Sequence, residues 1–342
     1  MTQHSFIVSD SKNLKGIPDK SVHLIVTSPP YPMIEMWDQM FGEQDPTIKA
    51  DLESNKGMAA FEKMHEILFS VWKECDRVLC DNGFVCINIG DATRTIGGVF
   101  QLFSNHTKII NQFLSMGYCV LPDVHWRKQS NAPNKFMGSG MFPAGAYVTY
   151  EHEYILVFRK GDKREFKGHD KELRQKSAFF WEERNIWFSD LWDIKGTSQV
   201  IDVPGANRER SASYPFEIPY RLINMYSKEG DTILDPFAGL CTTGLACMAA
   251  NRNSICVDID DSLLNIAFDI AQRSLPSLNK RINQRLEAHR AFIESLPEEK
   301  RKNCYTNNHH EFLVKTRQEI AIKIETISKI NIENHIITCE YC

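Results

Sequence analysis

The sequence predicts an α/β fold with a doubly wound, mostly parallel sheet of seven strands. Three observations carry this. Short apolar segments bounded by Gly, Pro, Asn or Asp recur along the chain, helical spacing of apolar residues separates several of them, and two turn-forming words stand at strand ends. The first strand runs from His4 to Ser9 and stops at Asp10. After the turn-like Lys15-Gly16-Ile17-Pro18-Asp19, the run Val22-His23-Leu24-Ile25-Val26 reads as a buried strand. From Met58 to Cys80 apolar residues fall on one helical face, Asp81-Asn82-Gly83 breaks the helix, and Phe84 to Ile89 is a strand. A second helix is expected from Gln101 to Met116, followed by strands at Cys119 to His125 and Glu153 to Phe158. Pro219 to Tyr226 reads as a helix, Thr232 to Asp235 as a strand, the stretch through Leu245 to Ala250 as a helix and Ser254 to Asp258 as a strand. Beyond Ser274 the chain looks polar and helical, over Arg281 to Leu296 and Glu311 to Ile327.

A chain of 342 residues can bury a full core. Its 40 basic and 44 acidic residues leave a formal net charge of -4, so any surface for a polyanion has to be local. No apolar run approaches the roughly 20 residues of a membrane span, no N-terminal export signal is visible, and a cytoplasmic location is expected. The ten cysteines are scattered among apolar patterns, which suits a reducing compartment. The C-x-x-C pair Cys339 and Cys342 has only His309 and His310 upstream as conceivable partners, so no metal site is assigned.

Two segments carry chemistry. In Thr27-Ser28-Pro29-Pro30-Tyr31 the prolines force the backbone out of the sheet and stiffen the turn, with a hydroxyl on one side and an aromatic ring on the other. Taken alone it is either a strand-ending turn or a rigid ligand-facing turn at the carboxyl end of a strand. In Asp235-Pro236-Phe237-Ala238-Gly239-Leu240-Cys241-Thr242-Thr243-Gly244 a strand end passes through a glycine turn into a helix start, where hydroxyls and N–H groups can meet a polar ligand. Asp258 ends the next strand, where a carboxylate can accept from a ribose diol. The phosphate-loop word with its lysine is absent.

Together these segments resemble the DNA amino-methyltransferases. Ser28-Pro29-Pro30-Tyr31 is similar to their catalytic word and Asp235 to Gly239 with Thr242-Thr243 to their cofactor loop, in the order of the permuted beta class. Val8-Ser9-Asp10, Trp126-Arg127-Lys128, His152-Glu153-Tyr154-Ile155 and Tyr214-Pro215-Phe216-Glu217 add to the likeness, which covers roughly residues 4 to 272. The resemblance implies a permuted, Rossmann-like fold that uses S-adenosylmethionine. It divides the chain into a catalytic half (1–158), a candidate target-recognition region (159–205), a cofactor half (206–274) and a helical extension (275–342). It also implies catalytic roles for Ser28, Pro29, Pro30 and Tyr31, the last as a stacking face for a base rotated out of the duplex. Cofactor contacts are implied for Asp10, Thr27, Tyr214, Pro215, Glu217, Asp235, Phe237, Ala238, Gly239, Thr242, Thr243 and Asp258. Serine at position 28, where relatives also carry Asp or Asn, resembles the N4-cytosine subgroup; N6-adenine is the alternative. Cys241 stands where the family usually has a second glycine, so a left-handed backbone there would be strained.

Double-stranded DNA is the implied partner, with a restriction endonuclease as functional counterpart. The phosphate contacts expected from the charged excursion are Arg159, Lys160, Lys163, Arg164, Lys167, Lys171, Arg174 and Lys176, with Arg184, Asn185 or Gln199 reading base edges. The loop from Asn131 to Tyr147, carrying Gly138, Gly140 and Gly145, is expected either to close over a flipped base or to be a long connection. Methylation of RNA or a small molecule, and a DNA-binding module without catalysis, are the competing readings.

Overall fold

Val22, Leu24, Ile25 and Val26 have no solvent exposure, and the strand they form lies in the interior of the sheet. The computed structural model describes residues 1–128, 137–195, 214–333 and 335–342. Its elements begin with β1 (Thr2–Val8) and β2 (Val22–Thr27), then α1 (Asp38–Gln44), α2 (Pro46–Glu53), α3 (Gly57–Val78) and β3 (Leu79–Ile89). Next come α4 (Asn105–Ser115), β4 (Cys119–Arg127), β5 (His152–Arg159), α5 (Gly168–Lys176), α6 (Trp181–Trp187) and β6 (Leu191–Trp192). The region around the Asp235 word supplies α7 (Glu217–Tyr226), β7 (Thr232–Asp235), α8 (Thr242–Ala250), β8 (Asn253–Asp258) and α9 (Ser262–Arg273). The chain closes with α10 (Leu275–Ser295), β9 (Ile327–Glu333) and β10 (Ile336–Tyr341).

Among the described residues one ten-stranded sheet runs in the order β6, β4, β5, β3, β2, β7, β8, β1, β10, β9. The block β3, β2, β7, β8 and β1 is parallel throughout, and β5 is inserted antiparallel between β3 and β4. All seven strands read from the sequence are present. Alternation along them divides the core. Ile25, Val85 and Ile87 pack beneath α3 and α4, whereas Leu24, Val26 and Cys86 face the side covered by α7, α8 and α10. Because β2 and β7 are parallel neighbours, with Leu24 opposite Ile233 and Ile25 opposite Leu234, their carboxyl ends emerge side by side.

Three expectations need correction. Asp81-Asn82-Gly83 lies within β3 rather than ahead of it; Asn82 takes a φ of 66° beside the register shift between Val22 and Leu24. The helix expected from Gln101 begins at Asn105, because residues 92–103 form a hairpin turning at Gly97-Gly98, both with positive φ. The tail is not wholly helical. Glu311 to Ile327 holds a short strand and a 3-10 turn, and β9 and β10 follow as a hairpin. Ile330, Ile332, Ile337, Cys339 and Tyr341 recur with the two-residue period of a strand, which outweighs the helical look of the preceding residues. β10 pairs antiparallel with β1 and covers what would otherwise be an open sheet edge, and the Tyr341 hydroxyl donates to the Met248 carbonyl of α8.

The segment between β5 and β6 is anchored to α10. Arg285 of α10 donates twice to Glu183, at 2.5 and 2.9 Å, with both side chains nearly buried, and Phe180 stacks on His289 with centroids 3.7 Å apart.

Candidate active site

The two chemistry-bearing words meet through one buried carboxylate. Asp235, the last residue of β7, is 1 % exposed. Its Oδ1 accepts from the Thr27 hydroxyl at the end of β2 (2.6 Å) and from the Phe237 amide (3.1 Å), and its Oδ2 accepts from the Thr243 hydroxyl on α8 (2.6 Å). The Thr243 hydrogen is committed to Asp235, so the Tyr214 phenol donates to Thr243 Oγ1 at 2.6 Å. Burial pushes the Asp235 carboxyl up to about 6, an effect that the hydroxyls and the amide only partly offset. The end of β2, the end of β7 and the start of α8 are thus held in one hydrogen-bonded unit.

The loop into α8 keeps a left-handed turn despite its cysteine. Gly239 has φ 51°, and Cys241, at the head of α8, has φ 63° and ψ 32°. A left-handed non-glycine residue costs roughly 1–2 kcal/mol, so the strain anticipated at Cys241 is accepted rather than avoided by another path. The Cys241 sulfur lies 3.0 Å from that of Cys256 on β8. Gly244 is required beneath it, because a Cβ there would collide with Cys241 Sγ.

A cavity of about 420 Å³ opens at the carboxyl ends of β1, β2, β7 and β8. Of the residues singled out in the sequence, Asp10, Ser28, Pro30, Tyr214, Asp235, Phe237, Ala238, Gly239, Thr242 and Asp258 line it. Asp258 Oδ2 accepts from the Gly239 amide (2.8 Å) and its Oδ1 from the Asp260 amide (3.0 Å), and burial raises its pKa. Thr27 and Thr243 sit behind the wall as partners of Asp235. Pro29 is buried, and the Pro215 carbonyl accepts from the Ile218 amide at the head of α7. Glu217 is a correction: its carboxylate is held by Arg221 and Arg281 and does not line the cavity. The outer wall, Met36, Trp37, Met40 and Gln44, comes from α1 and the turn before it, while Ile259, Leu263 and Ile266 come from the start of α9 and the loop before it.

Beside Ser28 lies a second network that the sequence did not reveal. The Tyr31 hydroxyl donates to Glu153 Oε2 (2.8 Å) and lies 3.1 Å from Ser28 Oγ. Asn88 Nδ2 donates to Glu153 Oε2 (2.6 Å) and to the Tyr31 oxygen (2.8 Å), and the Lys128 ammonium pairs with Glu153 Oε1. The Tyr31 ring edge rests on Gly90, where an added Cβ would come 3.1 Å from Cε2. Tyr31 is therefore tethered through its hydroxyl as well as presenting a ring.

The basic excursion lies at the edge of the sheet opposite the Ser28 turn. β5 runs antiparallel to β3, with Tyr154 opposite Ile89 near the Ser28 turn and Arg159 opposite Phe84, five residues or about 17 Å back along the strand. Arg159 and the residues after it consequently emerge at the amino ends of the parallel strands. Arg164 makes a two-pronged pair with buried Asp231 at 2.8 and 2.9 Å, and Lys160 binds Asp76 and the Leu79 carbonyl at the end of α3. Lys167 pairs with Glu165, Arg174 lies over the Phe166 ring, Lys176 lines a small cavity with Arg252, and Lys163 and Lys171 are exposed. Arg184 and Asn185 are exposed on α6, with Arg184 over Phe188; Gln199 and residues 131–136 lie outside the described residues. What does stand at the Ser28 edge is the end of β4, with Arg127 and Lys128, and the loop leading to β5. In that loop Met137–Gly138 pairs with Ala146–Tyr147, Tyr147 stacks on Phe100, and Met141 and Phe142 are exposed.

The Asp235 unit predicts a pH signature. Its folded pKa lies above the ordinary carboxylate value, so ionised Asp235 opposes folding above about pH 6, and this opposition fades as pH falls toward 4. Asp235→Asn removes the titration. Denaturant midpoints measured across that window should shift the stability difference in favour of the unaltered chain by up to about 3 kcal/mol as pH falls. A difference independent of pH would show that Asp235 is not held as described.

Known proteins resemble the chain along most of its length. The DNA methylase family profile matches residues 22–269. The Type II methyltransferase M.MthZI of Methanothermobacter thermautotrophicus is 48% identical over 326 residues, 94% of this chain and 90% of that protein. The Type II methyltransferase M.MjaI of Methanocaldococcus jannaschii is 50% identical over 277 residues, 77% of this chain and 89% of that protein. A solved DNA modification methylase from Thermus thermophilus, in complex with S-adenosyl-L-methionine, superposes with a TM-score of 0.62 at 28% identity, covering 80% of this chain and 95% of that one. The chain belongs to the DNA methylase family, whose Type II methyltransferase members it matches along most of its length.

Proposed function

We propose that the chain is a site-specific DNA methyltransferase of the permuted beta class that transfers a methyl group from S-adenosylmethionine to the N4 amine of a cytosine turned out of the duplex. In this reading it protects DNA from a cognate restriction endonuclease. The observation that carries the proposal is that Ser28 and Pro30 of the stiff turn line the same cavity as Asp10, Phe237 and Asp258.

The residues present suit the cofactor. The cavity is within the usual size range of small-molecule sites, its carboxylates at Asp10 and Asp258 match ribose hydroxyls and a cationic group, and Ile259, Leu263 and Ile266 offer an apolar wall for a purine. When bound, S-adenosylmethionine supplies an electrophilic methyl on a sulfonium. The chain's part is to prepare the acceptor. An exocyclic amine is a weak nucleophile while its lone pair is delocalised into the ring. Hydrogen bonds from its two N–H groups to Ser28 Oγ and the Pro29 carbonyl would favour a pyramidal nitrogen and stabilise the positive charge that develops there. The prolines hold that carbonyl with little backbone freedom. No strong base is needed, because the ammonium formed on transfer is very acidic. The resemblance of the Ser28 word to the N4-cytosine subgroup favours cytosine over adenine.

DNA reaching Ser28 would cross the carboxyl edge of the sheet, where Arg127 is 67% exposed, and not the amino edge that carries Lys163 and Lys171. Arg127→Ala should weaken duplex binding and reduce the log–log salt slope by about 1, while Lys171→Ala leaves both nearly unchanged. The reverse result would return the DNA to the basic excursion. For the chemistry, incubation with duplex DNA and methyl-labelled cofactor, followed by nucleoside analysis, should give N4-methylcytosine. Ser28→Ala should lower turnover by about 10²–10³-fold with nearly unchanged cofactor affinity by calorimetry. N6-methyladenine would reassign the target, and labelling confined to RNA or to no nucleic acid would overturn the proposal.

A further inference from the structure

Glu153 is a buried carboxylate of β5 whose partners fix the direction of every proton around Ser28. It accepts from the Lys128 ammonium and from Asn88 Nδ2, two groups that can only donate. The carboxylate paired with that ammonium has no proton of its own to give. The third partner, the Tyr31 phenol, must therefore donate its single hydrogen to Glu153, at 2.8 Å. Burial and the nearby Glu153 charge both raise the Tyr31 pKa, so the phenol keeps that hydrogen. Toward Ser28, 3.1 Å away, the Tyr31 oxygen can then only accept. The Ser28 hydrogen is drawn to Tyr31, and what Ser28 Oγ presents to the cavity is lone pairs.

Asn88 bears out the same polarity. Its Nδ2 reaches Glu153, Tyr31 and, at 3.4 Å, Ser28, while its Oδ1 is buried without a partner among the described residues. Flipping the amide would set its oxygen against the Glu153 carboxylate. Leaving a buried carbonyl oxygen unsatisfied is unfavourable, so the network keeps its donors pointed at the Ser28 turn at a cost in stability.

We infer that Glu153 is a positioning residue for methyl transfer: acting through the Tyr31 hydroxyl, it commits the Ser28 hydrogen inward and makes Ser28 Oγ an acceptor for the target amine. The inference rests on the proposed role of Ser28. It has a consequence for selectivity, since Ser28 is then unable to donate to a ring nitrogen of the target base, and discrimination between bases must come from other groups.

A double-mutant cycle tests it, with the full chain, duplex DNA and methyl-labelled S-adenosylmethionine in single-turnover reactions. Glu153→Gln should slow transfer by about 10- to 100-fold, the worth of a hydrogen bond to a charged group, with cofactor affinity unchanged by calorimetry. In a Tyr31→Phe background, where the relay is already cut, the same substitution should cost almost nothing more. Glu153→Asp, which keeps an acceptor-only carboxylate, should recover part of the rate and guards against misreading a folding defect. Three results would each overturn the inference: a full multiplicative loss in the Tyr31→Phe background, a parallel loss of cofactor affinity, or equal losses for Gln and Asp. Failure of the underlying reading looks different, because the unaltered chain would then transfer no methyl group at all.

Discussion

Everything at this site depends on the carboxylate of Asp235, held without solvent between Thr27 and Thr243. The carboxyl ends of β2 and β7 are already neighbours by sheet pairing, but pairing alone leaves the loops beyond them free to diverge. One acid with three donors removes that freedom. It joins the end of the strand that leads into Ser28 to the start of α8, so the two sides of the cavity are hydrogen-bonded to one group. Burial works against the charge, and the hydroxyl and amide donors only partly compensate for it.

The same region concentrates other local costs. Cys241 adopts a left-handed conformation, Asn88 leaves a buried carbonyl oxygen unpaired among the described residues, and Glu153 gathers three donors beside Ser28. At several places local preference and global fold agree: β-branched residues fill β2, Gly97-Gly98 turns a hairpin, and β10 covers the edge of β1, whereas Asn82 and Asn251 take left-handed conformations away from the cavity.

The sequence made the central architecture legible because the relevant signals are local. Pro29-Pro30 must end a strand, Gly239 must turn, and the apolar runs around them have strand periodicity. The ten-stranded extent of the sheet was not legible, since the β9–β10 hairpin lies behind a stretch with helical spacing. Chain direction was not legible either. The run Glu153 to Phe158 reads identically in a parallel or an antiparallel strand, yet its antiparallel setting carries Arg159 to Lys176 to the edge opposite Ser28. Glu217 sits in a word that resembles a cofactor segment, and only the packing of α10 shows that Arg281 takes its carboxylate. The Glu153 network joins residues 31, 88, 128 and 153 across three strands and a turn, a juxtaposition that no spacing in the sequence encodes.

The central claim is that a single cavity brings the methyl donor to the Ser28 turn. A crystal structure of the chain with the analogue of S-adenosylmethionine in which an amine-bearing carbon replaces the methylated sulfonium tests this most directly. The account predicts the ribose at Asp258 and the amine facing Ser28 Oγ and the Pro29 carbonyl within hydrogen-bonding reach. An analogue bound outside this cavity, or bound within it with the amine turned away from Ser28, would contradict it.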